Sequence, residues 1–415
     1  MHGAFHSGCS SGIVARKSSM PFRTMKISII TPDMSMNALA RAYLLARILQ
    51  RRFEIELIGP IFGSEVWKPL QGLHNINYRT IRIKGRFKPY IQLWQLSEMI
   101  TGDVIYASKP LLSSYGVGLV HKLLHRKPLV LDIDDWETGL RMKRVMKSGL
   151  AQHLKDRILS LLFIYSIGSS LNAALGERLS IFADAVTVSG SFLQSLFGGT
   201  IIPHAKDTML LDPAAFNPTR LREAYGIHPD ARVVMFLGSP GEHKGLDSLI
   251  EAVHELKDPN VMLFIVGIDE SSPYCRHILE KAPRALGGNF VGIRMQQVDK
   301  IPEFIAMADV MAIPQKISPA SIGQVPSKVF DAMAMARPIV ATSVSDLPEI
   351  LNGCGWIVPP DNTRALAEAL RHVLSNPREA QEKGLLARKK CIEKYGFDSV
   401  EKELFDVFRK FTRLG

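Results

Sequence analysis

Apolar positions along the chain follow two rhythms that alternate. From Met25 a short run, Lys26-Ile-Ser-Ile-Ile-Thr31, reads as a strand. A loop over 32–36 follows, then residues 38–49 carry apolar side chains at helical spacing, and a second strand is expected over 53–58. Further short apolar runs at 104–106, 129–133 and 185–188 alternate with longer periodic segments, which is the pattern of a parallel sheet wrapped by helices. The pattern then restarts. After Ile201-Ile-Pro-His-Ala205 and a connection around Asp212-Pro213, strands are expected at 232–237, 261–266, 310–313 and 339–341 with helices between them. The expected fold class is α/β, with two Rossmann-like doubly wound domains facing across a cleft. Open sheets of this kind bind ligands outside the carboxyl ends of their strands, so the loops on both lips of the cleft are where chemistry is sought.

Composition narrows this picture. The chain has 415 residues, too many for a single small module, and its hydrophobic fraction of 46% and charged fraction of 22% exclude a mainly disordered or low-complexity class. Four cysteines without CxxC spacing suggest neither a zinc site nor a disulfide framework and fit a reducing, cytoplasmic setting. No window is long and apolar enough to span a membrane, and residues 1–24 read as a disordered extension without a signal-peptide core.

The charge is one-sided. Residues 1–212 hold 26 Lys and Arg against 15 Asp and Glu, whereas residues 213–415 hold 25 against 25, so the whole excess of +11 lies in the first half. Such asymmetry points that half toward an anionic partner. Two segments strengthen this reading: the alternating run Arg82, Lys84, Arg86, Lys88, and the basic residues Arg141, Lys143, Arg144, Lys147, Lys155 and Arg157 before the charge-free stretch 158–176. The second has two readings, a membrane-surface contact or an ordinary buried helix. Basic residues without interleaved aromatics argue against nucleic acid.

Candidate chemistry sits in three places. Leu237-Gly-Ser-Pro-Gly-Glu-His-Lys-Gly-Leu246 follows a strand and opens a helix; its glycines, Gly238 among them, let backbone approach a ligand near Ser239, and Lys244 adds a cation suited to a diphosphate. The segment Val325-Pro-Ser-Lys-Val-Phe-Asp331 reads as a helix start, with Ser327 and Lys328 near a phosphate and Asp331 one turn on, within reach of a ribose diol. The plainer alternatives are a solvated turn and a surface helix with Lys328 and Asp331 paired. On the first lip, Asp132, Asp134, Asp135 and Glu137 crowd a strand end, where sugar or acceptor recognition, a metal, or helix capping would each relieve their repulsion. Asn37, heading the first helix, is either an N-cap or a cleft contact.

Taken together, Gly-Ser-Pro-Gly-Glu-His-Lys-Gly and Pro-Ser-Lys-Val-Phe-Asp-Ala-Met-Ala with Pro-Ile-Val-Ala-Thr and Leu-Pro-Glu349 resemble the retaining, GT-B-fold glycosyltransferases of family 4, the glycogen-synthase-like group. The resemblance runs over most of residues 25–415 and includes Ile202-Pro-His-Ala-Lys-Asp207, similar to the family's domain crossing. It implies an N-terminal acceptor domain over 25–212, a donor domain over 213–395 and a final helix in 396–415 packing back on the first domain. It also implies a nucleotide diphosphate sugar as donor, retention at the anomeric carbon, no metal or other cofactor, and a lipid-linked or glycan acceptor. Residue by residue, it assigns Lys244 to the diphosphate, Ser327 and Lys328 to the distal phosphate, Asp331 to the ribose, and Asp134 to a position where many relatives carry an acceptor-side His. Two family features have no counterpart: the sugar-contacting Glu eight positions before Asp331 is Gly323, and the Arg of the diphosphate loop is missing. A nucleotide-sugar epimerase and a non-catalytic nucleotide binder on the same architecture are the competing readings.

Overall fold

The computed structural model describes residues 25–72, 76–83, 89–146 and 169–412, with the side chains of 89, 90 and 143–146 outside the description. The leader over 1–24, the basic run beyond Arg82 and most of the basic and charge-free segment at 147–168 fall outside these residues.

The first sheet holds β1 (Lys26–Ile30), β2 (Glu54–Ile61), β3 (Asn77–Arg82), β4 (Val104–Ser108), β5 (Leu129–Ile133), β6 (Ala185–Val188) and β7 (Thr200–Ile201), ordered β3-β2-β1-β4-β5-β6-β7 and parallel throughout. The second holds β8 (Arg232–Leu237), β9 (Val261–Ile268), β10 (Phe290–Arg294), β11 (Val310–Ile313), β12 (Ile339–Thr342) and β13 (Trp356–Val358), ordered β10-β9-β8-β11-β12-β13, again parallel. Central strands such as β4, β5 and β11 are buried along their length, as expected when helices cover both faces. The expected central strands are all present. The edge strands β3, β7, β10 and β13 are additional, because their half-exposed residues give a weak apolar signal.

Alternation sends successive residues of the first sheet to opposite faces. Ile27, Ile29 and Leu57 pack with α1 (Ala38–Leu49), while Ile30, Ile58 and Ile105 pack beneath α2 (Pro89–Glu98) and α3 (Val117–His125). Two further helices of this domain, α4 (Glu137–Met146) and α5 (Ser170–Leu179), follow β5. In the second domain α6 (Leu246–Glu255) follows the glycine-rich loop and α7 (Lys328–Ala334) precedes β12. The final helix, α8 (Phe397–Phe408), returns to the first domain: Val400, Leu404, Val407 and Phe408 join the α1 core, Phe53 stacks on Phe405 at 6.1 Å, and Arg51 meets Glu401 at 2.7 Å.

Candidate functional site

On the second domain's lip the chain turns sharply out of β8. Gly238 takes φ +113°, and a Cβ there would lie 3.0 Å from Lys328 Nζ, so only glycine leaves that ammonium its place. A single turn, Glu242–Lys244, leads to Gly245 at φ +68°, whose added Cβ would strike the Pro314 carbonyl oxygen at 1.8 Å. This packing folds Lys244 back so that Nζ donates to the Ser239 carbonyl at 2.7 Å. Lys328, the first residue of α7, is buried with Nζ 4.1 Å from the Phe236 ring centroid.

Among the described residues neither ammonium has a carboxylate hydrogen-bonded to it. Burial lowers the Lys244 pKa to about 8, with Asp135 opposing the shift. Burial and then repulsion from Lys244 push Lys328 well below the ordinary lysine value. Asp331 opposes the shift of Lys328 as Asp135 opposes that of Lys244, but neither carboxylate is bonded to its lysine, and desolvated cations that repel each other in this way are an arrangement a polyanion would relieve. The buried amide of Gln315, just after β11, has neither Nε2 nor Oε1 hydrogen-bonded, which adds an unfilled donor and acceptor beyond the same strand ends.

The first domain's lip is built in the opposite way. Lys109, just after β4, takes φ +68° and drives its ammonium into three carboxylates: Asp135 at 2.5 Å, Asp134 at 2.8 Å and Glu137 at 3.0 Å. Although burial opposes it, the field of these acids raises the Lys109 pKa well above its ordinary value. Asp134 meets the ammonium without hydrogen-bond alignment; burial, with Asp135 and Asp132 adding repulsion, raises its pKa to about 7. Burial would raise Asp135 too, but Lys109 and a hydrogen bond from Gln324 hold it down at about 2. The crowded acids therefore resolve their repulsion through a lysine, and among the described residues no group of three or more His, Cys, Asp or Glu side chains is placed to hold a metal ion.

Asp132 departs from the expected acceptor-side position. Alternation along β5 turns it away from its neighbours, and it is fully buried, with Arg41 Nε and Nη2 at 3.0 and 2.9 Å and hydroxyl groups of Thr187 and Tyr106 at 2.8 and 3.3 Å. Arg41 also donates to the Ile202 and Pro203 carbonyls, so this pair ties α1 and β5 to the crossing between domains. Asn37 is exposed and makes no capping hydrogen bond.

Asp331 is half-buried and paired with Lys206 Nζ at 2.7 Å rather than with Lys328. Lys206 belongs to the domain crossing, so this ion pair also spans the two halves. Ser327 is exposed at the head of α7, and Ser239 lines the glycine-rich loop. Gly323 is buried: its carbonyl accepts the Trp136 amide at 3.1 Å, and an added Cβ would lie 2.4 Å from Trp136 Cβ. Next to it Gln324 Nε2 donates to Asp135 Oδ1 at 2.7 Å. Farther along, Asp346 accepts from the Ser191 amide at 2.8 Å and its hydroxyl at 2.5 Å. The lips thus meet through Trp136 on Gly323, Asp135 on Gln324 and Ser191 on Asp346.

Sequence reasoning passed over Lys109, Trp136, Gln315 and His204. His204 stands in the domain crossing, where burial and the charges of Arg41 and Lys206 hold its imidazole neutral, its pKa well below the ordinary value. Trp136, inside the acidic segment, and His204, inside the crossing motif, carried signals that could have been followed.

Two parallel sheets of this order facing across a cleft, with a C-terminal helix returning to the first domain, define the GT-B architecture. The chain superposes on sucrose-phosphate synthase from Thermosynechococcus elongatus with TM-score 0.68 at 18% identity, covering 94% of this chain and 100% of that one. HepE of Anabaena, solved in complex with UDP-glucose, matches with TM-score 0.70 at 17% identity over 93% and 100% of the two chains. Residues 231–376 match the family described as Glycosyl transferases group 1, which together with the shared fold supports a GT-B glycosyltransferase of that group. In sequence, an alpha-maltose-1-phosphate synthase of Mycolicibacterium smegmatis is 26% identical over 225 residues, 51% of this chain and 57% of the relative. An alpha-D-kanosaminyltransferase of Streptomyces kanamyceticus is 24% identical over 194 residues, 46% of this chain and 48% of the relative. The chain thus spans about half the length of these curated relatives.

Proposed function

We propose that the chain transfers a sugar from a nucleotide diphosphate sugar to a lipid-linked or glycan acceptor, with retention at the anomeric carbon, working in the cytoplasm at an anionic membrane surface. The observation that carries the donor half is the pair Lys244 and Lys328, a half-buried and a buried ammonium with no carboxylate hydrogen-bonded to either, Lys328 lying against Gly238. As the glycosidic bond to the diphosphate breaks, negative charge grows on the leaving oxygen, and cations already placed and desolvated stabilise it without reorganisation. Lys244 and Lys328 perform that neutralisation through side chains, and Asp331, released from Lys206, accepts from the ribose diol. Gln315, just after β11 with free donor and acceptor atoms, and exposed Asn37 at the head of α1 are further candidate contacts. HepE, of the same fold, binds UDP-glucose according to its crystal structure, which supports a nucleotide sugar as the donor. The acceptor half rests on the one-sided charge of +11 before residue 213.

A nucleotide-release assay across donor sugars, run with and without membrane extract, tests the reading. Acceptor-dependent release is expected; no release with any donor, despite nucleotide binding, overturns it. The epimerase reading draws on Asp134, whose pKa of about 7 suits a group that gains and loses a proton at neutral pH. Conversion of a nucleotide sugar to its epimer without acceptor would favour that alternative.

A further inference from the structure

The two faces of the first sheet differ in what they show to solvent. Among the described residues α1 and α8, on one face, expose no large hydrophobic side chain. On the other, α2 exposes Ile91 and Trp94, α3 exposes Val120, Leu123 and Leu124, α5 exposes Leu175, and the turn after α5 exposes Ile181 and Phe182, with Leu123 and Ile181 each 80% accessible. These elements are neighbours: Ser97 of α2 meets His121 of α3, and Lys122 of α3 donates to the Phe182 carbonyl at 2.9 Å. An apolar surface spread over three adjacent helices marks an interaction site.

We infer that this α2–α3–α5 face docks on an anionic lipid bilayer, with Leu123, Leu124, Ile181 and Phe182 entering the headgroup boundary. It rests on the membrane-surface reading above and supplies the surface that reading lacked, since the basic segment 147–168 lies outside the described residues. The apolar side chains are interspersed with exposed Arg126 and Arg178, which have no ion pair among the described residues; of the nearby acids Asp184 and Asp103 pair with Lys122 and Lys127, while Glu98 at the end of α2 is exposed without an ion pair among the described residues. Apolar groups flanked by free cations suit a lipid interface, where the former bury and the latter meet phosphate. Pairing with a second copy is opposed by the +11 of each N-terminal half.

The test is co-sedimentation of the full chain with vesicles of phosphatidylcholine alone and of an equal mixture of phosphatidylcholine and phosphatidylglycerol. Binding to the mixed vesicles that falls as salt rises is expected, with a loss of about tenfold or more when Leu123, Leu124, Ile181 and Phe182 are all replaced by Ser. Replacing Arg126 and Arg178 by Gln should weaken binding less and flatten its salt dependence. All four apolar positions are exposed, so thermal midpoint and nucleoside diphosphate affinity should stay at wild-type values, which separates loss of docking from loss of folding or donor binding. Wild-type chain that ignores both vesicles overturns the membrane reading as a whole. Wild-type binding matched by the four-fold Ser variant overturns the assignment to this face, as does a concentration-dependent dimer that the variant dissolves.

Discussion

Lysines stand on both lips of the cleft in opposite circumstances. Lys109 on the first domain touches three carboxylates and is held charged far above its ordinary pKa, whereas Lys244 and Lys328 on the second have no carboxylate bonded and are pushed down. The first arrangement is complete within the protein. The second leaves its ammonium groups without a bonded carboxylate, which is the contrast the proposed anion site rests on.

The largest effect should come from breaking the complete arrangement. Lys109→Ala leaves Asp134, Asp135 and Glu137 buried without their cation, and by analogy with other buried pairs should cost about 3–5 kcal/mol in urea unfolding. Loss of only a few tenths would show that the acids reorganise toward water. Lys244→Ala acts on the incomplete side and should cost about 2–4 kcal/mol in kcat/KM while leaving thermal stability almost unchanged, since it removes a half-buried charge that no carboxylate is bonded to. A stability loss as large as that of Lys109→Ala would erase the contrast between the lips.

Much of this arrangement was legible in the sequence, but not all of it. The helix at residues 38–49 and the strand at 129–133 were found at their observed bounds because long periodic or mostly apolar runs carry their own signal. Lys244, Lys328 and Asp331 were singled out because glycine- or proline-marked turns open the helices they sit in or lead into, a signal that is local. Lys109 escaped notice, since a Ser-Lys-Pro after a strand says nothing of three acids about 26 residues away; only the β4–β5 pairing brings them together. Asp132 was misplaced for the converse reason: it lies among the acids in sequence, but strand alternation turns it onto Arg41. The contact of Trp136 with Gly323 depends on how the two domains meet, which no local pattern encodes.

A smaller effect is expected from Asp331→Asn, which should weaken nucleoside diphosphate binding about tenfold, roughly 1.4 kcal/mol, as one charge-assisted hydrogen bond to the ribose is reduced. Unchanged affinity in calorimetry would leave Asp331 as a partner of Lys206 alone. The last is a shift in pH dependence on the first lip. Because the folded Asp134 pKa is raised from 3.8 to about 7, the folded chain holds the extra proton between those values and loses stability relative to the unfolded chain as pH rises through that window. Asp134→Asn lacks this titration, so its thermal midpoint should exceed that of the wild type above about pH 7 and the difference should shrink toward pH 4. A difference independent of pH would assign the effect to packing.

The central claim, that the unpaired lysines await a diphosphate, is tested most directly by calorimetric titration of the wild-type chain and Lys244→Ala with UDP and ADP across pH. Lys244 has its folded pKa lowered from 10.5 to about 8, and a bound diphosphate restores the charged form. Affinity of the wild type should therefore decline as pH rises past about 8, with proton uptake on binding and a slope approaching tenfold per pH unit, while Lys244→Ala binds weakly and with a shallower dependence. Equal affinity of the two proteins, or a wild-type affinity flat across that range, would contradict the account.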